Sequence, residues 1–130
     1  MRVYLASTAD ELKEFLEDRS LVIDEVYAPT PIYSATHPEM DEEELEYSLS
    51  LLAAEDAIEL MDDLSGAALV LAFEIPEEML GTFDEISATV TAPIDWKMME
   101  AIFLVGEDAD DLTWFAPQEA ESSIDQWMRR

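Results

Sequence analysis

The chain has 130 residues, and its 32 aspartates and glutamates against six lysines and arginines give a formal net charge of −26. Such a surface repels nucleic acid and anionic membranes, because both carry dense negative charge. The lack of cysteine excludes disulfides, thiolate nucleophiles and cysteine-ligated metal centres. Apolar residues make up 49% of the chain, too many for a disordered acidic segment, so we expect a single folded domain over residues 1–130.

The first half of the chain alternates strands with helices. Residues 2–7 predict a strand, and Thr8 then caps a helix that runs to about Arg19. Residues 21–27 are rich in β-branched side chains and predict a second strand. Residues 28–40 contain three prolines, which predict an irregular loop because proline removes backbone donors and restricts its neighbours.

This proline-rich loop is the longest irregular segment that the sequence predicts. Long ordered loops are enriched in functional residues, and Tyr33 and His37 are the side chains best equipped for an interaction here. His37 is the single histidine, and no G-x-S-x-G motif accompanies it. The pattern therefore does not support nucleophilic catalysis by a Ser–His pair.

The strongest predicted helix covers residues 41–64. Asp41 caps its start, with Glu44 three positions later as the partner in a capping box. On a helical wheel its apolar arc is about 200° wide, which is broader than a surface helix needs. We therefore expect this helix to pack on a sheet and also against another helix or a second subunit.

The acidic start of this helix has two interpretations. Carboxylates such as Glu43 are stabilised near a helix N-terminus by the helix dipole, which explains them without a partner. Glu46 is different, because it falls inside the apolar arc near the angle of Leu64, where an unpaired carboxylate is costly. It either projects beyond the core, pairs with a scarce cation or belongs to a site, so we keep Glu43, Glu46 and Tyr47 as candidate interaction residues.

Three further carboxylates follow one polar edge of the helix. Glu55, Glu59 and Asp62 are spaced by about 4.5–6 Å along the helix axis, against about 3.4 Å between the phosphates of one DNA strand, which is a tolerable imitation. The match lasts only about one and a half turns, so a single helix is a poor DNA mimic. The three residues remain candidates for contact with a basic protein.

The second half of the chain predicts four strands and a closing helix. The strands cover residues 67–75, 86–92, 99–105 and 112–116, a short helical turn follows Pro76, and the helix covers residues 117–130. Polar and apolar residues alternate in 86–92, which indicates a sheet with one covered face. We predict an α+β domain with a mostly antiparallel sheet of five or six strands and helices packed on one face.

Metal and cofactor sites find no support in the sequence. An EF-hand count from Asp108 places Leu112 and Thr113 where an oxygen ligand and a glycine are required, so no calcium loop is predicted. The three glycines stand far apart and form no phosphate loop. We expect no metal, no cofactor and no catalytic residues.

Four segments resemble a known family. "VYLAST", "DEEELEY", "MEAIFLVGED" and "LTWFAPQE" occur here in this order, and together they resemble an uncharacterised family of small acidic proteins from actinobacteria, a domain of unknown function. The resemblance implies a bacterial, cytoplasmic protein without an established activity. It assigns no catalytic residue to this chain.

These observations favour a non-enzymatic protein-interaction module over an enzyme. The expected partners are a basic protein or a second copy of the chain, with no direct nucleic-acid contact. The longest apolar run, residues 67–73, is far shorter than the about 20 residues that span a bilayer, so no membrane contact is expected and the cytoplasm is the expected location. The alternatives are a DNA mimic that inhibits a nucleic-acid-binding protein and a small enzyme that uses carboxylates.

Overall fold

The computed structural model describes residues 1–129, and a seven-stranded antiparallel sheet forms its centre. The strands are β1 (Arg2–Thr8), β2 (Ser20–Leu21), β3 (Glu25–Tyr27), β4 (Ala68–Glu74), β5 (Leu80–Phe83), β6 (Ser87–Val90), β7 (Ile94–Asp95), β8 (Met99–Val105) and β9 (Leu112–Phe115). The helices are α1 (Ala9–Asp18), α2 (Pro31–Thr36), α3 (Glu42–Leu60) and α4 (Ala120–Met128). The main sheet has the order β5-β6-β3-β1-β4-β8-β9, and β2 pairs with β7 in a separate small sheet.

The α+β class and the mostly antiparallel sheet are confirmed, but the sheet has seven strands instead of five or six. The additional strand is β5. A single 3-10 turn over Glu77–Met79 does follow Pro76, and the chain then extends so that Leu80 lies opposite Val90 of β6. Leu80 is buried, so packing selects the strand where the local sequence indicated only a turn.

The helices cover both faces of the sheet, which corrects the expectation of one covered face. Leu71 of β4 belongs to the core beneath α1 and α4, whereas Val70 belongs to the core beneath α3. Successive residues of a strand point to opposite faces, so β4 is apolar and buried from residue 68 to 73 because both of its faces are covered there, and only Glu74 at its end is exposed. The uninterrupted apolar run of residues 67–73 indicated this, and the alternation in 86–92 described only the periphery of the sheet.

The predicted strand 21–27 divides between the two sheets. Leu21 pairs with Ile94 in the small sheet, whereas Tyr27 pairs with Tyr4 of β1 in the main sheet. The residues between them bend, and Val22 is 80% exposed. β-branched composition predicts an extended conformation but does not identify the pairing strand, and here the two ends of the segment pair with different strands.

The prediction of a wholly irregular segment 28–40 is wrong, because α2 forms within it. Thr30 caps this helix, and its side-chain oxygen accepts a hydrogen bond from the Tyr33 N–H at 3.1 Å. Pro31 occupies the first helical position, where its missing N–H leaves no intrahelical bond unmade. The proline therefore starts a helix here instead of preventing one.

The start of α3 is confirmed in detail, but its end comes four residues before the predicted one. The Glu44 N–H donates to Asp41 Oδ1 at 2.8 Å, and the Asp41 N–H donates to Glu44 Oε1 at 3.4 Å, which completes the capping box. At the other end, the Asp62 N–H donates to the Ser65 hydroxyl at 2.8 Å. That bond belongs to a turn that replaces the last predicted helical residues.

The predicted hairpin and the closing helix are both present. β8 and β9 pair over four successive positions, from Ile102 opposite Phe115 to Val105 opposite Leu112. A 3-10 turn over Pro117–Glu119 leads into α4. Arg130, which the predicted helix included, lies outside the described residues.

Candidate functional site

A groove of about 360 Å³ opens beside the first two turns of α3, on the face of the sheet that α3 covers. We call it the aromatic groove. It is lined by Arg2 and Tyr4 from β1, Glu43, Glu46, Tyr47 and Ser50 from α3, Phe103 from β8 and Leu112 from β9. Side chains from four elements that are distant in sequence therefore meet at one place.

The groove exists because α3 lies over the middle of the sheet and leaves its β9 edge uncovered. The core beneath α3 is rich in alanine, including Ala53 and Ala57 of the helix and Ala72 of β4, so the helix packs directly on β1 and β4. Beyond β4, Phe103 and Leu112 remain only half-buried. No helix among residues 1–129 covers them, which leaves apolar side chains open to solvent.

Trp114 extends the apolar floor of the groove to the edge of the sheet. It lies directly opposite Phe103 across the β8–β9 ladder, and residues paired in this way project from the same face. Trp114 is 58% exposed, and Tyr47 on the opposite wall is 57% exposed. Aromatic side chains are enriched in interfaces, so two large exposed ones next to one groove distinguish this part of the surface.

Glu43 and Glu46 form the acidic rim of the groove. Arg2 is the cation nearest to this rim, but its side chain is directed at an aromatic ring. Its Nε donates to the Tyr4 hydroxyl at 3.1 Å, and its guanidinium carbon lies 5.8 Å from the centre of the Tyr4 ring. Within residues 1–129 the single ion pair closer than 4 Å joins the Met1 amino group to Glu74. Glu43 and Glu46 therefore have no directly paired cation within this range.

Glu46 is the electrostatically perturbed carboxylate of the groove. Burial raises the pKa of Glu46 above its ordinary value, the attraction of Arg2 lowers it, and neighbouring carboxylates including Glu43 raise it further. Burial likewise raises the pKa of Tyr4. A cation that entered the groove would lower the pKa of Glu46 again, because an opposite charge stabilises an ionised carboxylate.

The predicted interaction residues separate into three groups in space: one at the aromatic groove, one between α2 and α3, and one toward the end of α3 and beyond it. Glu43, Glu46 and Tyr47 come together at the aromatic groove. Tyr33 is buried and its hydroxyl lies 2.8 Å from the Ser48 hydroxyl, while the His37 ring lies 4.7 Å from the Tyr33 ring. Tyr33 thus connects α2 with α3, His37 packs against Tyr33 at the end of α2, and neither lines the groove.

The three carboxylates proposed as a DNA-like row do not share one helix. Glu55 and Glu59 are exposed on α3, whereas Asp62 lies beyond its end. Asp62 Oδ1 accepts a hydrogen bond from the Leu64 N–H at 2.8 Å and so stabilises the turn after α3. The row shortens to two residues because the helix ends early.

Sequence reasoning missed the sheet side of the groove. Phe103, Leu112 and Trp114 were predicted to lie in strands, without a functional role. The alternation in residues 112–116 places Leu112 and Trp114 on one face, and this was the available signal. Nothing in the sequence indicated that α3 leaves the β8 and β9 side of that face uncovered.

A second cleft, of about 590 Å³, lies on the opposite side of the sheet. The Arg19 guanidinium lies 5.2 Å from the centre of the Trp96 ring, and this ring lies 4.9 Å from that of Phe15. The stack joins the end of α1 to the residues after β7. Glu100 and Glu121 also line the cleft and offset the charges of Arg19 and Lys97, and we interpret the stack as a structural feature.

Residues 1–129 contain neither a metal-ligating cluster nor a membrane-spanning helix. No group of three or more histidine, aspartate or glutamate side chains in this range is arranged to hold a metal ion. No helix in the same range has the length and apolar character needed to cross a membrane.

Comparison with known protein families matches residues 1–112 to a family of unknown function, DUF6912. The chain belongs to this DUF6912 family. The matched part runs from β1 through β8 and contains every residue that lines the aromatic groove, whereas Trp114 and α4 lie beyond it. None of the curated proteins and none of the solved structures compared matches the chain. DUF6912 membership thus confirms the predicted kind of family and assigns no activity.

Proposed function

We propose that this DUF6912 protein is a non-enzymatic protein-interaction module that binds basic segments of partner proteins in the aromatic groove. The observation that supports it most strongly is the exposure of Trp114 and Tyr47 beside two carboxylates for which residues 1–129 provide no directly paired cation. Arginine and lysine side chains bind both kinds of group, because they stack on aromatic faces and pair with carboxylates. A basic segment therefore fits the groove better than an acidic or purely apolar one.

The net charge also favours a basic partner over the other partners considered. A second copy of the chain brings another 26 negative charges, and this repulsion opposes self-association. A DNA mimic needs a long row of carboxylates, whereas α3 offers the exposed pair Glu55 and Glu59 and the groove itself is largely apolar. A basic protein partner in the cytoplasm is consistent with both the charge and the groove.

The proposal is tested with a fluorescent peptide of about eight residues in which arginine and valine alternate, used at about 0.15 M NaCl so that long-range attraction is screened. We expect Tyr47→Ala with Trp114→Ala to weaken binding about tenfold or more, because exposed aromatic anchors dominate such interfaces. Glu43→Gln with Glu46→Gln is expected to weaken it as well. Fluorescence anisotropy gives the dissociation constants.

The matched control is Glu55→Gln with Glu59→Gln, which makes the same change in net charge on the same helix, away from the groove. We expect this control to change affinity by less than about twofold, since exposed charges at this distance are screened. Equal weakening by the two double-glutamine variants would indicate general charge attraction and would refute the groove as the binding surface. Light scattering that finds a stable dimer would instead favour the second copy.

A further inference from the structure

The outer edge of β9 carries none of the usual protection against strand pairing. β9 is the last strand of the sheet and pairs with β8 alone. Its sequence, LTWF, has no charged residue, no proline and no glycine, and its register with β8 is continuous over all four pairs. Natural proteins commonly protect exposed edges with charges, prolines or bulges, so an unprotected edge is a ready template for another strand.

The opposite edge of the sheet, β5, differs in this respect. Its register with β6 shifts between Leu80 and Phe83, and it contains Gly81. The Thr82 N–H donates to the Thr89 side-chain oxygen at 2.8 Å instead of continuing a regular ladder. The β5 edge is therefore irregular, whereas the β9 edge is regular.

The register identifies the backbone groups that β9 leaves open. The Gly106 N–H donates to the Asp111 carbonyl at 2.7 Å at the end of the hairpin. Hydrogen-bonded pairs alternate with non-bonded pairs along an antiparallel ladder, so the next hydrogen-bonded pair is Leu104 with Thr113. The N–H and C=O groups of Leu112 and Trp114 consequently point away from β8, toward solvent.

We propose that the basic partner adds an extended segment to this edge as an eighth strand of the sheet. This inference rests on the proposed function and specifies how the groove is occupied. A strand added beside β9 lies about 4.8 Å from it, and every second side chain then projects over the face that carries Leu112 and Trp114. Arginine or lysine at those positions lies beside the Trp114 ring, toward the acidic rim.

The charge next to β9 is consistent with a cationic strand and opposes a second copy. Four carboxylates, Glu107, Asp108, Asp110 and Asp111, precede β9 in the turn that joins it to β8. A cationic strand would meet these charges favourably at one end. Two copies paired through β9 would bring eight such carboxylates near one interface, which like-charge repulsion opposes.

The first arm of the test compares Leu112→Pro with Leu112→Ala. Both variants remove the leucine side chain, but proline also removes the N–H that points outward, and it spares the β8 ladder because that N–H takes no part in it. We expect Leu112→Pro to bind the arginine–valine peptide about tenfold or more weakly than Leu112→Ala does. Equal affinities of two folded variants, checked by circular dichroism, would overturn the strand addition.

The second arm leaves the protein unchanged, so it does not depend on how well the proline variant folds. Two versions of the peptide are N-methylated at alternate residues, one at the odd amides and one at the even amides, with the charge unchanged. Only one set of amides faces β9 in an added strand, so we expect one version to lose binding about tenfold or more and the other to retain it. Unchanged binding of both versions would overturn the inference.

The two proposals fail in distinguishable ways. If the natural sequence binds the unmodified and both methylated peptides equally and Tyr47→Ala with Trp114→Ala weakens all three, the groove binds the peptide without strand pairing, and only the strand addition is wrong. If the groove variants bind all three peptides as the natural sequence does, the proposed function itself is wrong. A dimer that Leu112→Pro dissociates would assign the edge to a second copy and would likewise overturn the inference.

Discussion

The Tyr33 hydroxyl lies 2.8 Å from the Ser48 hydroxyl and joins α2 to the middle of α3. Tyr33 is buried, and its ring also contacts the His37 ring at a centroid distance of 4.7 Å. The proline-rich segment thereby becomes an ordered wall beside α3. Part of the broad apolar arc of α3 is covered in this way without a second subunit.

Tyr33→Phe is expected to destabilise the protein by about 1 kcal/mol, the usual net contribution of one hydrogen bond between neutral groups. The ring and its packing remain, so the loss reports the hydroxyl alone. The measurement is urea unfolding followed by circular dichroism. Tyr47→Phe is the matched control, because Tyr47 is 57% exposed, and we expect its unfolding midpoint to be unchanged. An equal effect of the two variants would contradict the assignment.

Glu46→Gln is expected to raise stability at neutral pH. Burial raises the pKa of Glu46 in the folded protein above its ordinary value of 4.5, so the ionised form is less favourable in the folded than in the unfolded chain. This penalty is fully present above the folded pKa, and it disappears as the pH falls below the unfolded value. The gain from Glu46→Gln should therefore be present at pH 7 and absent below about pH 4, which thermal unfolding across this range measures.

Glu43→Gln provides the control for that experiment. Glu43 is exposed in the first turn of α3, where a carboxylate is favoured by the helix dipole. Its replacement should lower stability by about 0.3 kcal/mol or leave it unchanged. Changes of the same sign and size in both variants would indicate a general relief of charge repulsion instead of an effect of burial at Glu46.

Gly66→Ala is expected to destabilise the protein by about 2–4 kcal/mol, since it combines backbone strain with a steric clash. Gly66 has a φ of 76°, and a Cβ atom there would lie 2.8 Å from the Trp127 carbonyl oxygen and 2.9 Å from the Ala9 Cβ. The next residue, Ala67, donates its N–H to the same Trp127 carbonyl at 2.9 Å. The clash would therefore disturb the contact between α4 and the start of β4. Calorimetry measures the loss, and a change below about 0.5 kcal/mol would contradict this role.

Local sequence signals predicted several elements closely. The capping box at Asp41 and Glu44 marked the start of α3, and the acidic turn between two apolar runs marked the β8–β9 hairpin. Both signals succeed because the groups that satisfy each other lie within a few residues. The helix that begins at Pro31 was missed, although its signal was also local: a proline is favourable at the first position of a helix and unfavourable inside one.

The candidate site was only partly accessible to the same reasoning. Glu46 was selected because it falls inside the apolar arc of the helical wheel, Glu43 and Tyr47 were kept beside it as candidates, and the three do meet at the groove. Phe103 and Trp114 were not selected, because a strand pattern states which residues share a face but not whether that face is covered. The proposed function depends on that missing half of the groove.

The amino-acid sequence by itself determined the net charge, the absence of cysteine chemistry, the α+β class and most helix and strand positions, because these depend on composition and on interactions between near neighbours. Only the tertiary structure decided that helices cover both faces, that Leu21 and Tyr27 join different sheets and that α3 leaves Phe103 and Trp114 open. The physical reason is that burial and strand pairing depend on residues far apart in the chain. Alanine packing places α3 over the middle of the sheet, which leaves the groove open, and the strand order places β9 at an unpaired edge beside it.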